Sequence, residues 1–174
     1  MIKGGKGGAR TLTGLKFESR ISLKERFNTL KGYSVKDGVL TFKGREVAQL
    51  YKKYELYSKL LDKQKIKWKE IIAKKLLPDD MALVFSNKTL YIIEMKFQAV
   101  GGSVDEKLQT CHFKLGQYKK LLSGTDLKVQ YVYVLNDWFK KPEYKDVLNY
   151  IREVGCHYFF EELPLDFLGL PIPK

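Results

Sequence analysis

Glu94 and Lys96 stand one residue apart inside the apolar run Leu90–Phe97, and Asp79 and Asp80 stand side by side after Pro78, at the head of the preceding apolar run Met81–Phe85. Burying an unpaired carboxylate or ammonium is costly, so charges of both signs inside a sheet-like pattern call for a reason. Side chains two apart on a strand share a face, which aligns Glu94, Lys96 and Gln98. The turn Ser86-Asn87-Lys88-Thr89 joins the two runs as a hairpin, and its length decides which aspartate meets that face. With a loop of two or four residues Phe85 pairs with Leu90, which sets Asp79 opposite Lys96 and Met81 opposite Glu94. A three-residue loop or a bulge reverses the parity and sets Asp80 across from Glu94. Both alternatives stay open on the sequence.

Two carboxylates brought close repel each other unless a divalent cation lies between them, and hard oxygen ligands with room for water suit Mg²⁺. An ammonium beside such a metal can polarise an attacking water or steady a phosphate charge, while the metal lowers the pKa of that water. This is equipment for metal-assisted phosphodiester hydrolysis. His112 and His157 are isolated in the sequence and there is no P-loop motif, so histidine-based and ATP-driven chemistries have no foothold.

Pro78-Asp79, fourteen intervening residues and then Glu94-Met95-Lys96 resemble the motif of the PD-(D/E)XK nuclease superfamily. The stretches TGLKFESR and EMKFQ, followed by SVDEKLQT and QYKKL, resemble small type II restriction endonucleases in particular, over roughly residues 12–135. The resemblance implies a restriction-endonuclease-like α/β core in the order α-β-β-β-α-β, with a mixed central sheet flanked by helices. It implies Asp79 or Asp80 together with Glu94 as metal ligands, Lys96 as the catalytic lysine and Gln98 as a residue orienting water or a backbone phosphate. Glu18 matches an acidic residue that many members carry on the first helix, reaching the metal directly or through water. The doubled aspartate departs from the family pattern, which needs one acid there. By this similarity the chain is expected to be a sequence-specific, Mg²⁺-dependent double-stranded DNA endonuclease of a bacterial or phage restriction-modification system, working as a homodimer without a nucleotide cofactor. The competing readings are a structure-specific repair or Holliday-junction-resolving nuclease, and a non-catalytic DNA-binding protein with a nuclease-like fold.

The elements that must position these residues follow from periodicity. Thr13 is a plausible N-cap for a helix over 14–30, with Phe17, Ile21, Leu23 and Phe27 on its apolar side. Val39–Phe42 reads as a strand; Val47, Leu50, Tyr51, Tyr54 and Leu61 recur at helical spacing, and Ile66–Leu77 reads as a basic helix stopped by Pro78. After the break at Gly101-Gly102-Ser103, a helix over 104–122 carries Leu108, Cys111, Leu115, Tyr118 and Leu122 on one face, with Gln117 on its surface. Lys128–Leu135 is a strand, Glu143–Glu153 a helix, Cys156–Phe160 a last short strand, and residues 163–174, with three prolines, an irregular strap. Cys111 and Cys156 lack metal-ligand spacing and read as small buried hydrophobes.

Length suits one domain over residues 1–174, able to bury a core without staples. The 32 Lys and Arg against 20 Asp and Glu give a formal charge of +12, an excess that attracts polyanions, nucleic acid first among them. Residues 1–10 read as a flexible basic arm; with the first helix they offer Lys3, Lys6, Arg10, Thr11, Thr13, Lys16 and Arg20 to DNA. Lys107 and Lys114, on one face of the 104–122 helix and flanked by Gln109 and Thr110, form the second candidate DNA surface. No stretch approaches the ~20 apolar residues of a membrane span and the N-terminus lacks the apolar core of a secretory signal, which together point to the cytoplasm.

Overall fold

The computed structural model describes residues 14–16, 22–99 and 104–174. In chain order these form β1 (Gly14–Lys16), α1 (Leu23–Asn28), β2 (Tyr33–Lys36), β3 (Val39–Phe42) and β4 (Arg45–Tyr51). A π-helical turn (Leu56–Leu61) and a 3₁₀ turn (Trp68–Glu70) lead to β5 (Asp80–Val84) and β6 (Thr89–Lys96). Then follow α2 (Val104–Leu108), α3 (Cys111–Leu122), β7 (Lys128–Leu135), α4 (Lys145–Glu153), β8 (His157–Phe160) and β9 (Glu162–Pro164). Strands β2 to β8 lie side by side in chain order in one seven-stranded mixed sheet, antiparallel from β2 to β6 and parallel from β6 to β8; β1 pairs with β9 in a separate ribbon. The chain is α/β, with a mixed central sheet flanked by helices.

Each face of the sheet buries its own core. Met81, Leu90, Ile92, Tyr131 and Tyr133 pack under α2, α3, α4 and the π-helical turn. Ala82, Val84, Tyr91, Ile93, Val132 and Val134 pack under α1, β1 and the C-terminal strap. Strand β6 is buried from Thr89 to Glu94, which explains why it reads as a continuous apolar run and not an alternating one. No helix among the described residues is long and apolar enough to cross a membrane.

Several expectations need correction. Residues 14–16 are strand, and α1 starts only after Ser22, whose hydroxyl accepts the Glu25 N–H while the Glu25 carboxylate accepts the Ser22 N–H. That reciprocal cap fixes the helix start, while Thr13 lies outside the described residues. The segment from Val47 is strand β4 before it turns: Ala48, Leu50 and Val47, Gln49 alternate between faces, and only the turn Leu56–Leu61 is helical, burying Leu56, Tyr57, Leu60 and Leu61. The expected basic helix over 66–77 is reduced to the single 3₁₀ turn, because the Tyr57 hydroxyl donates to the Leu76 carbonyl and accepts the Leu76 N–H, pinning the chain in an open loop. Strand β2 was not foreseen, although Asp37-Gly38 between YSVK and VLTF is a two-residue hairpin signal; both residues take left-handed φ (51° and 83°), as that turn requires. The expected 104–122 helix breaks at Gln109-Thr110 into α2 and α3.

Val39–Phe42, Lys128–Leu135 and the strand expected at 156–160 (β8) fall where periodicity sets them, the start of the expected irregular strap is instead strand β9, held by pairing with β1, and the 143–153 helix begins as a 3₁₀ turn at Pro142 before continuing as α4. Cys111 and Cys156 are buried as expected, and the fold brings their thiols into hydrogen-bond contact. Beyond β9 the strap is irregular and sinks Leu165, Leu168 and Leu170 into the second core.

The strap meets the β5–β6 turn through Asn87. Its side-chain N–H groups donate to the Leu168 carbonyl (3.1 Å) and the Tyr91 hydroxyl (3.0 Å), while its side-chain oxygen accepts the Thr89 N–H (3.1 Å). Asn87→Asp keeps the acceptor but sets a carboxylate against a carbonyl oxygen. The variant is expected to lose roughly 1–3 kcal/mol of unfolding free energy in a urea melt; an unchanged midpoint would show that the strap does not depend on this residue.

Candidate metal centre at the end of the sixth strand

The turn between β5 and β6 holds four residues, Phe85 to Lys88, with Val84 paired to Thr89 and Asp80 to Ile93. The loop is therefore even in length, yet the pairing is displaced from the Phe85–Leu90 register. Thr89 is drawn into the ladder by Asn87, and the Phe85 N–H turns to the Val47 carbonyl. Continuing the ladder by one residue sets Asp79 level with Glu94, where the Phe85–Leu90 register had set it level with Lys96. Alternation then puts Asp79, Met81, Ile92 and Glu94 on the α3 face, and Asp80, Ala82 and Ile93 on the opposite face. The charges of Glu94 and Asp79 both bear on the Tyr118 hydroxyl of α3, in keeping with that shared side.

Asp80 is thus withdrawn from the candidate site. It is 3% exposed, its carboxylate accepts the Leu23 N–H at the start of α1, and the charges of Lys52 and Arg26 favour its ionised form while that of Asp79 opposes it. Burial dominates and pushes its pKa up to about 6. The doubled aspartate divides accordingly: one acid for the α3 face and one tying α1 to the sheet.

Glu94 is 5% exposed and lies near the carboxyl end of β6, where the parallel neighbours β7 and β8 also end. Ligand sites favour that edge of parallel strands. Its Oε2 is 2.9 Å from Lys96 Nζ, and its Oε1 is 2.8 Å from Lys114 Nζ on α3. Burial works to raise its pKa, but the pull of Lys96 and Lys114 outweighs it and holds the carboxyl below the ordinary value, hence ionised. Tyr118, Tyr131 and Tyr133 surround the carboxylate; burial, reinforced by the charge of Glu94, raises all three and keeps them neutral. Tyr131 is fully buried, and its hydroxyl feels the carboxylate without a hydrogen bond of good geometry.

Gln98 is 8% exposed, and Asn136 at the end of β7 grips its backbone: the Gln98 N–H donates to Asn136 Oδ1 (3.1 Å), and Asn136 Nδ2 donates to the Gln98 carbonyl (2.8 Å). Asn136 was not foreseen as a positioning residue. A polar residue ending the apolar run KVQYVYVL, parallel to β6, is the signal that could have found it.

The two lysines expected on one helix face are separated. The break at Gln109-Thr110 leaves Lys107 and Gln109 exposed, while Lys114 turns to Glu94. Tyr118 is buried, as its place on the stripe implies, while Gln117, expected on the surface, is half-buried. Lys16 lies in β1, paired with Glu162. Glu18, Lys3, Lys6, Arg10, Thr11, Thr13 and Arg20 lie outside the described residues.

Among the described residues, no group of three or more His, Cys, Asp and Glu side chains could hold a metal ion. Asp79 and Glu94 are two hard oxygen donors, one exposed and one buried and ionised. That donor set fits Mg²⁺, which keeps several of its waters and takes one or two carboxylates from the protein. The face around it is basic: residues 52–75, joining β4 to Asp79, hold nine lysines against three acids. They are anchored to this face by Tyr57, Leu60, Leu61 and Ile72, and Lys75 Nζ lies 4.9 Å from the ring centre of Tyr57 and 4.8 Å from that of Trp68.

Because the folded pKa of Asp80 exceeds its ordinary 3.8, its ionisation opposes folding. The stability it permits is full below the unfolded pKa and is lost as pH rises through about 6, by about 3 kcal/mol in all. Asp80→Asn keeps an oxygen for the Leu23 N–H and removes the charge. Urea melts from pH 4 to pH 7 are expected to show the variant gaining on the parent as pH rises; parallel profiles would contradict the buried-charge account.

No protein-family model, curated protein or solved structure matches the chain.

Proposed function

We propose that this chain is a Mg²⁺-dependent, sequence-specific double-stranded DNA endonuclease of the type II restriction kind, acting as a homodimer. The observation that carries the reading is the buried, ionised Glu94 held between Lys96 and Lys114, with Asp79 on the same face of the hairpin. A structural ion pair is a poor route to stability, so an acid kept ionised at an open strand end is better accounted for by chemistry. The order α1, β4-β5-β6, α3, β7 supports a restriction-endonuclease-like core, and the +12 charge with the lysine-rich segment 52–75 supports a polyanionic substrate.

In this reading Asp79 and Glu94 would hold Mg²⁺, which when bound would supply a positive field that lowers the pKa of water and offsets charge on the phosphate. Lys96, fixed two residues from Glu94 on the same face, holds the attacking water by its oxygen and faces the phosphate. The water oxygen bonds to phosphorus, its proton passes to solvent, and the bond from phosphorus to the leaving sugar oxygen breaks as that oxygen takes up a proton. The grip of Asn136 on the Gln98 backbone keeps residues 96–98 in line with β7, so Lys96 does not drift from the scissile group. Among the described residues each chain has one such constellation; two chains related by a twofold axis would cut both strands of a palindromic site.

Incubation with a long duplex and Mg²⁺ is expected to give discrete fragments. Preference for branched substrates would favour a junction-resolving nuclease, and duplex binding without any cutting would leave a DNA-binding protein. Lys96→Met is expected to slow cleavage by roughly 10²-fold or more while leaving duplex binding within a few-fold of the parent; cleavage at the parent rate would remove Lys96 from the chemistry. Asp79→Asn is expected to lose cleavage and Asp80→Asn to keep it; equal losses would contradict the assignment of the two aspartates to opposite faces.

A further inference from the structure

Lys114 reads in the sequence as a DNA contact on a helix surface, yet its ammonium caps Glu94 Oε1 at 2.8 Å. We propose that Lys114 is the resident counter-ion of Glu94: it holds the carboxylate oxygen that a divalent cation must take, and the cation's arrival releases it toward the phosphate. The proposal rests on the metal-dependent nuclease reading and assigns Lys114 a role in metal affinity that the reading alone does not contain.

Both oxygens of Glu94 are occupied, by lysines of different standing. Lys96 lies on β6 itself, two residues from Glu94, so its place at Oε2 is set by the strand. Lys114 comes from a different element, α3, and reaches Oε1 across the gap with a long side chain that is partly exposed, as that of Lys96 is. Oε1 is therefore the oxygen whose partner can leave. An ammonium and a divalent cation cannot share it, since both need the same lone pairs and repel each other at contact distance. The charges agree: Asp79 and Glu94 balance Lys96 and Lys114, so a cation added with all four in place leaves an excess of two positive charges. Release of Lys114 relieves the repulsion and presents an ammonium to an incoming phosphate, which carries negative charge.

The surroundings fit an exchange at Oε1. Glu94 is 5% exposed, so its ionised form needs a partner even without metal. Lys114 and Lys96 together supply that partner, one at each oxygen.

The test is calorimetric titration of the full chain with Mn²⁺ at pH 8, comparing the parent with Lys114→Met, Lys114→Gln, Lys114→Arg and Glu94→Gln. Removing a charge-assisted hydrogen bond that the metal must otherwise break is expected to tighten Mn²⁺ binding roughly tenfold or more in Lys114→Met and Lys114→Gln alike. Lys114→Arg, which keeps the charge, should stay near the parent, and Glu94→Gln should lose binding. A lysine that merely braced α3 would show the reverse, with weaker or unchanged binding in its neutral variants. That result, obtained while the parent binds Mn²⁺ and Glu94→Gln does not, would overturn the counter-ion role alone. A parent that neither binds Mn²⁺ nor cuts duplex DNA would overturn the nuclease reading and this proposal together.

Discussion

A single negative charge at the buried end of β6 sets the terms for the rest of the molecule. Left alone, the Glu94 carboxylate would cost several kcal/mol. Two lysines compensate it, one from its own strand and one from α3. The second forces a tertiary requirement: α3 must sit at one place along the sheet for Lys114 to reach. Cys111, Leu115, Tyr118, Leu121 and Leu122 hold it there, all of them buried in the core beneath. The break at Gln109-Thr110 frees α3 from the direction of α2, which turns Lys114 inward while Lys107 stays in solvent.

That arrangement works only in one hairpin register. A slip of one residue in β5 would exchange Asp79 for Asp80 beside Glu94 and turn Met81 out of its core. The register is set far from the charges, by Asn87 in the turn, and Asn87 is in turn clasped by the C-terminal strap through the Leu168 carbonyl. Residues near the end of the chain thus help decide which aspartate faces the candidate site. Asp80 contributes from the other side, receiving the Leu23 N–H of α1 where its neighbour Asp79 stands open to solvent.

Much of this was legible in the residues. Charges inside the run LYIIEMKF flagged the site, period-2 reasoning put Glu94 and Lys96 on one face, and the strands Val39–Phe42 and Lys128–Leu135 were plain. The choice between Asp79 and Asp80 was not legible, because it hung on whether the turn holds an even or an odd number of residues, and the even turn is fixed by contacts of Asn87 with Thr89 and with the distant strap. The helix expected from Val47 failed because Val47, Leu50 and Tyr51, although at helical spacing, lie in β4, where pairing with β3 and β5 decided the matter, and Tyr54 falls in the turn beyond it. The lysine-rich loop at 66–77 was read as helix since nothing local shows that Tyr57 will hold Leu76 from afar. Lys114 and Asn136 escaped for the same reason: their roles arise from contacts between elements distant in sequence.

The central claim is that the α3 face of the hairpin, and not the α1 face, binds a divalent cation. Anomalous diffraction from crystals grown with Mn²⁺ tests it most directly. The account predicts a peak bonded to Glu94 and Asp79, with the Lys114 ammonium displaced from Glu94 Oε1. A peak at Asp80, or a saturated crystal with Glu94 still capped by both lysines and no metal beside it, would contradict it.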